Sequence, residues 1–89
     1  EPLTGHTGAV CAVATAVVDG RPVAVTGSVD ETVRVWDLTT GQPIGEPLTG
    51  HTGAVCAVAT AVVDGRPVAV TGSVDETVRV WDLATGQQV

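Results

Sequence analysis

The chain alternates short apolar runs, built mainly from Val and Ala, with polar residues and glycines. Apolar runs of this length, bounded by turn-forming residues, predict β-strands. In the first half of the chain the predicted strands span 9–16, 22–27, 32–38 and 42–48. The dipeptide Asp19-Gly20 between the first two strands favours a tight hairpin turn. Because no segment has apolar residues at a helical period, the pattern predicts an all-β protein.

The whole pattern occurs twice. Residues 1–44 return as residues 46–89 with three substitutions, which are Thr39 to Ala84, Pro43 to Gln88 and Ile44 to Val89. The second copy accordingly predicts strands over 54–61, 67–72 and 77–83. Repeat units of this size bury their apolar faces against neighbouring units rather than within themselves. The two copies are therefore expected to pack against each other.

The order of the strands in each sheet follows from their composition. The strand over 42–48 carries Pro43 and Pro47, and proline cannot donate to a hydrogen-bond ladder, so this strand is expected at a sheet edge. The Ala-rich first strand suits the opposite edge, where neighbouring sheets crowd together around an axis. The middle of the sheet is supplied by Val23, Val25, Val33 and Val35. Each copy thus predicts a four-stranded antiparallel sheet with one edge blunted by proline.

Two dipeptides bracket each copy. They are a Gly-His pair (Gly5-His6 and Gly50-His51) and a Trp-Asp pair (Trp36-Asp37 and Trp81-Asp82). The stretch TGSVDETVRVWDL resembles the end of a blade in the WD-repeat β-propeller family, and GHTGAV resembles the loop into its innermost strand. The resemblance covers the whole chain, twice. It implies that residues 1–44 form one four-stranded propeller blade and residues 45–89 a second.

The resemblance also implies a structural hydrogen-bond tetrad in each blade. By motif position the tetrads are His6, Thr26, Asp30 and Trp36 in the first blade, and His51, Thr71, Asp75 and Trp81 in the second. An indole N–H donates, a hydroxyl and an imidazole both donate and accept, and a carboxylate accepts. Such a set can satisfy its own buried polar groups and tie a loop, a turn and two strands together.

The same residue types also occur in acyl-transfer triads. Against a catalytic role, Thr26 is not followed by a nucleophile elbow of the G-x-S-x-G kind, and the set occurs once per blade, whereas an active site is normally one place. One His and one Asp per blade also fall short of the about four convergent ligands of a zinc site. We therefore expect no catalytic residue, no metal site and no cofactor.

Two features depart from the family pattern. The turn after the tetrad Asp usually carries Gly, but this chain has Glu31 and Glu76 there, so an altered or strained turn is expected. The loop positions that family members commonly use to contact partners hold small or apolar residues, which are Ala9, Val29, Ala54 and Val74. These residues offer few polar or aromatic anchors for a specific partner. Exposed valines at these positions can still form an apolar surface that associates with other molecules.

The composition excludes several classes of partner. A net charge of −6, with no Lys, argues against nucleic acid and anionic membranes. No stretch approaches the about 20 apolar residues of a membrane helix. Cys11 and Cys56 occupy equivalent positions in the two copies, which are expected to lie too far apart for a disulfide. Free thiols in a soluble protein of a reducing, cytoplasm-like compartment are expected, with burial preferred and exposure to a central channel as the alternative.

Two blades do not close a propeller, which typically has about four to eight. Because the copies are nearly identical, the contact within one chain can be repeated between chains in a head-to-tail ring. We expect cyclic self-association, with a homotetramer of eight blades preferred and a homotrimer of six blades as the alternative. The outer strand of the second blade stops at 87–89, and residues 1–4 of a neighbouring chain are expected to complete it.

These observations predict a structural, self-assembling β-propeller scaffold of designed or consensus origin. The alternative is a fragment of a natural WD-repeat protein that acts as a protein–protein interaction scaffold. The near identity of the copies and the small or apolar residues at the contact positions favour a designed or consensus origin. Analogy with the family supports a natural fragment. A third hypothesis is an enzyme or a metal protein, for which the tetrads are the one set of candidate residues in the sequence.

Overall fold

The computed structural model describes residues 5–89. Within these residues the chain forms seven strands. They are β1 (Val10–Val18), β2 (Arg21–Ser28), β3 (Val33–Asp37), β4 (Val55–Val63), β5 (Arg66–Ser73), β6 (Val78–Asp82) and β7 (Gln87–Gln88). The all-β prediction is confirmed. The described part of the chain has no helix long and apolar enough to cross a membrane.

The strands form two antiparallel sheets, one for each sequence copy. The first has the order β1-β2-β3 and the second the order β4-β5-β6-β7. We call the first sheet together with the segment 43–48 the first blade, and β4 to β7 the second blade. The Ala-rich strands β1 and β4 lie at sheet edges, as predicted. Asp19 and Gly20 both have positive φ, 51° and 76°, as the tight turn between β1 and β2 requires.

The fourth strand predicted over 42–48 is not a continuous strand in the first blade. Two isolated bridges join this segment to β3, and they pair Trp36 with Pro43 and Val33 with Leu48. The prolines at 43 and 47 have no N–H to donate, and Gly45 turns the chain with a φ of 70°. The ladder is therefore interrupted between its two bridges.

The corresponding edge of the second blade is the short strand β7. It pairs with β6 at Trp81 and Asp82, and the Val89 N–H donates to the Val80 carbonyl at 2.8 Å. The predicted completion of this edge by residues 1–4 of a neighbour concerns residues outside the described part of the chain.

The core lies between the two blades. Side chains alternate across each strand, so each blade has two faces, defined here by their residues. The front face carries Val25, Gly27, Val33 and Val35 in the first blade and Val70, Gly72, Val78 and Val80 in the second. The back face carries Val10, Val13, Thr26 and Trp36 in the first blade and Val55, Val58, Thr71 and Trp81 in the second. The front face of the first blade packs against the back face of the second, and the buried cluster spans this joint.

The cysteine prediction was half right. Cys11 and Cys56 are free thiols, but both are exposed, so the prediction of burial is wrong. Cys11 lies at an irregularity in β1, where the register shifts between Val10 and Ala12. A residue at a bulge on an edge strand is left unpaired and has a neighbouring strand on one side only, so it stays open to solvent.

Candidate functional site

The first tetrad forms a continuous chain of hydrogen bonds. The Trp36 Nε1–H donates to Thr26 Oγ1 at 2.9 Å. The same hydroxyl lies 2.7 Å from His6 Nε2, and His6 Nδ1 lies 3.0 Å from Asp30 Oδ2. The four residues predicted from the motif are therefore brought together in the order Trp, Thr, His, Asp.

The second tetrad repeats this geometry. Trp81 donates to Thr71 at 2.9 Å, Thr71 lies 2.7 Å from His51, and His51 lies 3.0 Å from Asp75. Within each blade the indole and imidazole rings are tilted, with centroids 6.3 Å apart in the first and 6.4 Å in the second. The two sets of residues therefore adopt one arrangement, as their identical sequences require.

The strands position each member before the hydrogen bonds form. Thr26 lies on β2 opposite Arg34, and Trp36 lies on β3 opposite Ala24, so the hydroxyl and the indole are on the same face of the sheet. Asp30 lies in the turn between β2 and β3, and His6 lies in the loop before β1. The tetrad thus joins that loop, that turn and two strands.

One proton arrangement satisfies every member. With the imidazole hydrogen on Nδ1, His6 donates to Asp30 and its Nε2 accepts from the Thr26 hydroxyl, which itself accepts from Trp36. Each donor then has an acceptor. A fully connected buried network is stabilising, whereas a broken one leaves costly unpaired groups.

The carboxylates of the tetrads have further partners that the sequence reasoning did not identify. Besides His6, Asp30 accepts hydrogen bonds from the Thr7 N–H at 2.8 Å, from the Thr32 N–H at 3.0 Å and from the Thr32 hydroxyl. The Asp-x-Thr spacing is the available signal, because Asp side chains often accept from the backbone two residues on.

These bonds change the acidity of both carboxyls. For Asp30, burial works to raise the pKa, but the bonds from the Thr32 hydroxyl and from the Thr7 and Thr32 N–H groups, together with His6, outweigh it and hold the pKa well below its usual range. For Asp75 the hydroxyl of Thr77 is the largest cause of a pKa that is lowered in the same way. Both groups are therefore carboxylates at neutral pH and act as acceptors only.

The Asp of each Trp-Asp pair has a separate structural environment. Asp37 is 3% exposed, and its Oδ2 lies 2.8 Å from the Arg21 guanidinium. Its Oδ1 accepts from the Thr39 and Thr40 N–H groups at 2.8 and 3.3 Å. The residue thus holds the turn after β3. The pair Arg66–Asp82, at 3.1 Å, does the same in the second blade.

The tetrad distances are also those of an acyl-transfer triad, so access decides what the set can do. Thr71 is fully buried and Thr26 is 8% exposed. Each hydroxyl is already bonded on one side to the indole and on the other to the imidazole. A substrate would have to displace the tryptophan to reach the oxygen, and this geometry fits a structural tie better than a nucleophile.

The predicted contact positions lie beside each other in pairs. The Val29 N–H donates to the Ala9 carbonyl at 3.0 Å, and the Val74 N–H donates to the Ala54 carbonyl at 3.1 Å. The valine side chains are 49% and 65% exposed. Each blade therefore presents one small apolar patch beside its β2–β3 or β5–β6 turn, without a charged or aromatic anchor among these four residues.

A cleft of about 560 Å³ opens between the segment 44–49 and the outer edge of the second blade. Its lining includes Leu48, Trp81 and Leu83, and among the described residues Glu46 is the one ionisable group there. Within residues 5–89, no group of three or more His, Cys, Asp or Glu side chains is placed to hold a metal ion.

Two antiparallel sheets with the same buried tetrad, packed face to face, define a protein built from propeller-type blades. The WD domain, G-beta repeat family (WD40) matches residues 2–37 and 41–82. This match covers most of the chain, so the chain belongs to the WD40 family, and the resemblance noted in the sequence is confirmed.

The chain is also similar to a solved structure, described as the crystal structure of the computationally designed Ika4 protein. The TM-score is 0.77 and the sequence identity 36%, over 98% of this chain and 49% of that chain. This chain therefore spans about half the length of the Ika4 chain. Among curated proteins no match was found.

Proposed function

We propose that the chain is a structural blade pair without catalytic activity, and that four copies assemble head-to-tail into a closed propeller of eight blades. The observation that carries this proposal is the different exposure of identical residues in the two blades. Val33 is fully buried, whereas Val78, its equivalent in the second blade, is 70% exposed. Val55 is fully buried, whereas its equivalent Val10 is 53% exposed.

The pattern of exposure follows from the single joint within the chain. That joint covers the front face of the first blade and the back face of the second. Val78 on the front face of the second blade stays exposed, as do Val10 and Val13 on the back face of the first blade, where Thr26 and Trp36 are buried. We call these two faces the open faces. These two open faces have the same residues as the two covered faces, so they are complementary to each other. Repetition of the same contact between copies is a head-to-tail arrangement, which forms a ring when its rotation closes.

Burial of the open faces supplies the driving force. Val13 is 64% exposed, in addition to Val10 and Val78, and full burial of one valine side chain contributes about 1.5 kcal/mol or more. An exposed apolar face is typical of an interaction site. The surface complementary to each open face is the other open face, on a second copy of the chain.

The outer edge of the second blade supports the same assembly. In the first blade, Leu48 bridges Val33, with the Val33 N–H donating to the Leu48 carbonyl at 3.1 Å and the Leu48 N–H donating back at 2.7 Å. Leu48 belongs to the sequence EPLT, which occurs at 46–49 and again at 1–4. We propose that residues 1–4 of a neighbouring copy take the equivalent place beside Val78.

The similarity to Ika4 bears on the origin of the chain. Ika4 is a computationally designed protein, and the two blades of this chain differ at three aligned positions. We propose a designed or consensus origin on this basis. The alternative is a segment of a natural WD40 interaction scaffold, and the exposed patches at Val29 and Val74 are the observation that favours it.

The number of chains in the particle tests the proposal. Native mass spectrometry at micromolar concentration is expected to give a mass of four chains. A mass of three chains would keep the head-to-tail joint and replace eight blades by six. A single-chain mass at all concentrations, with a folded circular dichroism spectrum, would overturn the proposal.

A further inference from the structure

The joint within the chain has a steric requirement at Gly27. A Cβ atom added to Gly27 would lie 2.6 Å from Val55 Cγ1 and 3.1 Å from Val58 Cγ2. No real Cβ contact is as short as the first of these, and both valines belong to the neighbouring blade. Only glycine therefore lets the second blade approach β2 this closely.

The equivalent residue of the second blade, Gly72, has no such neighbour. The nearest atom to an added Cβ there is Ala57 Cβ of its own blade, at an ordinary contact distance of 3.8 Å. A side chain at Gly72 is therefore compatible with the single chain, although the same side chain at Gly27 is not. Both blades have glycine at this position, but an added Cβ would clash only at Gly27, where a second blade packs against the sheet.

We propose that Gly72 and Val10 form the contact that selects a second copy of this chain, with the Val10 side chain of one copy packed against the β5 backbone of another at Gly72. This inference rests on the proposed function and adds the residues that determine the fit. Val10 is the equivalent of Val55, whose methyl group seats against Gly27. Its exposed position leaves it free to make that contact.

Two hydrogen bonds across the inner joint support the same pairing. Cys11 Sγ donates to the Val55 carbonyl at 3.0 Å, and Thr60 Oγ1 donates to the Thr15 carbonyl at 2.7 Å. The equivalent donors on the open faces are Cys56 and Thr15. Cys56 Sγ lies instead 3.7 Å from the Gly72 carbonyl of its own blade, so it is free to turn towards Val10 O of a second copy.

The contact also fixes the direction of assembly. The front face offers glycine and the back face offers valine, so the close approach forms only between unlike faces. If two copies paired through their front faces, no valine would fill the space at Gly72. If they paired through their back faces, the Val10 side chains of the two copies would face each other. The fit therefore favours a head-to-tail joint over a two-fold dimer.

The test uses the full chain with Gly72→Ala, examined by sedimentation velocity over a range of concentrations. Because overpacking of a tight joint is unfavourable, the concentration needed for assembly is expected to rise about tenfold or more. The circular dichroism spectrum of the dissociated chain is expected to stay unchanged. The double variant Gly72→Ala with Val10→Ala removes the methyl group whose equivalent lies at 2.6 Å and leaves the tight contacts at 3.1 Å, so it is expected to recover assembly in part. Val62→Ala, at a residue 73% exposed whose equivalent Val17 is also exposed, serves as the control.

The outcomes separate this inference from the proposed function. If the parent chain assembles and Gly72→Ala assembles at the same concentration, the Gly72 contact is wrong while the ring stands. If Gly72→Ala weakens assembly and the double variant shows no recovery at all, the partner of Gly72 is not Val10. If the parent chain itself sediments as a single chain throughout, the proposed function fails and this inference fails with it.

Discussion

At the scale of single residues, the hydroxyl of Thr26 is the centre of the site. It connects the indole of β3 to the imidazole of the loop before β1, and its burial removes it from any substrate. Thr26, His6 and Asp30 have the residue types and spacing of a catalytic triad, but the burial of the hydroxyl and its bond to the indole fit a structural role. Neighbouring groups and burial, rather than residue identity, distinguish the two roles.

Replacement of Thr26 by Val tests this role. Valine has nearly the same shape but leaves the Trp36 N–H and His6 Nε2 without a partner. Since each of these two unpaired buried groups costs about 1–3 kcal/mol, the free energy of unfolding is expected to fall by about 2–6 kcal/mol, measured by urea unfolding. Thr7→Val, at an exposed threonine, is the control. Equal stability of the two variants would contradict a structural role for the tetrad.

Residue-level reasoning predicted the members of the tetrad but not its full set of partners. Histidine, threonine, aspartate and tryptophan are visible as a motif. The bonds from Thr7 and Thr32 to Asp30 depend on the path of two loops, which no periodic pattern specifies. The exposure of Cys11 depends on a register shift in β1, and an apolar run gives no sign of it.

At the scale of elements, the β2–β3 and β5–β6 turns carry the backbone strain that the sequence indicated. Glu31 has a φ of 75° and Glu76 a φ of 73°. The turns thus keep the left-handed conformation that favours glycine, with a glutamate in place. The Asp-Gly hairpins are different, because aspartate and glycine both tolerate positive φ.

Glu31→Gly is expected to stabilise the protein. The substitution removes the cost of about 1–2 kcal/mol that a residue with a side chain has in the left-handed conformation. Glycine also raises the conformational entropy of the unfolded chain, which opposes this gain by a smaller amount. The expected net rise in the free energy of unfolding is about 0.5–1 kcal/mol, seen as a higher urea midpoint. Glu46→Gly, which is not at a positive φ, is the matched comparison. A lower midpoint for Glu31→Gly would mean that the glutamate is not strained.

Element prediction worked best where one physical cause acts alone. The strands β1 to β3 follow from apolar runs bounded by turn residues, and their bounds agree with the prediction within two residues. The segment 42–48 combines β-forming residues with two prolines and a glycine at positive φ. Its prolines correctly placed it at an edge, but they also prevent the continuous ladder that was predicted.

At the scale of the whole molecule, two nearly identical blades in one chain have different surroundings. In the first blade, the second blade covers the front face and the segment 43–48 covers the outer edge. Within residues 5–89, both of these surfaces are more exposed in the second blade. A sequence repeat alone predicts that blades stack, but the structure identifies which faces remain open. We infer that a neighbouring copy covers both the front face and the outer edge of the second blade.

Amide hydrogen exchange at Val78 measures whether that outer edge is covered, because Val33 is a matched reference in the same molecule. The Val33 N–H donates to Leu48 across the outer edge of the first blade, and assembly should provide the Val78 N–H with the same bond. In the assembled particle the protection of Val78 is expected to lie within about tenfold of that of Val33. Fast exchange at Val78 beside a protected Val33, in a particle of multimeric mass, would mean that no neighbouring copy covers this edge.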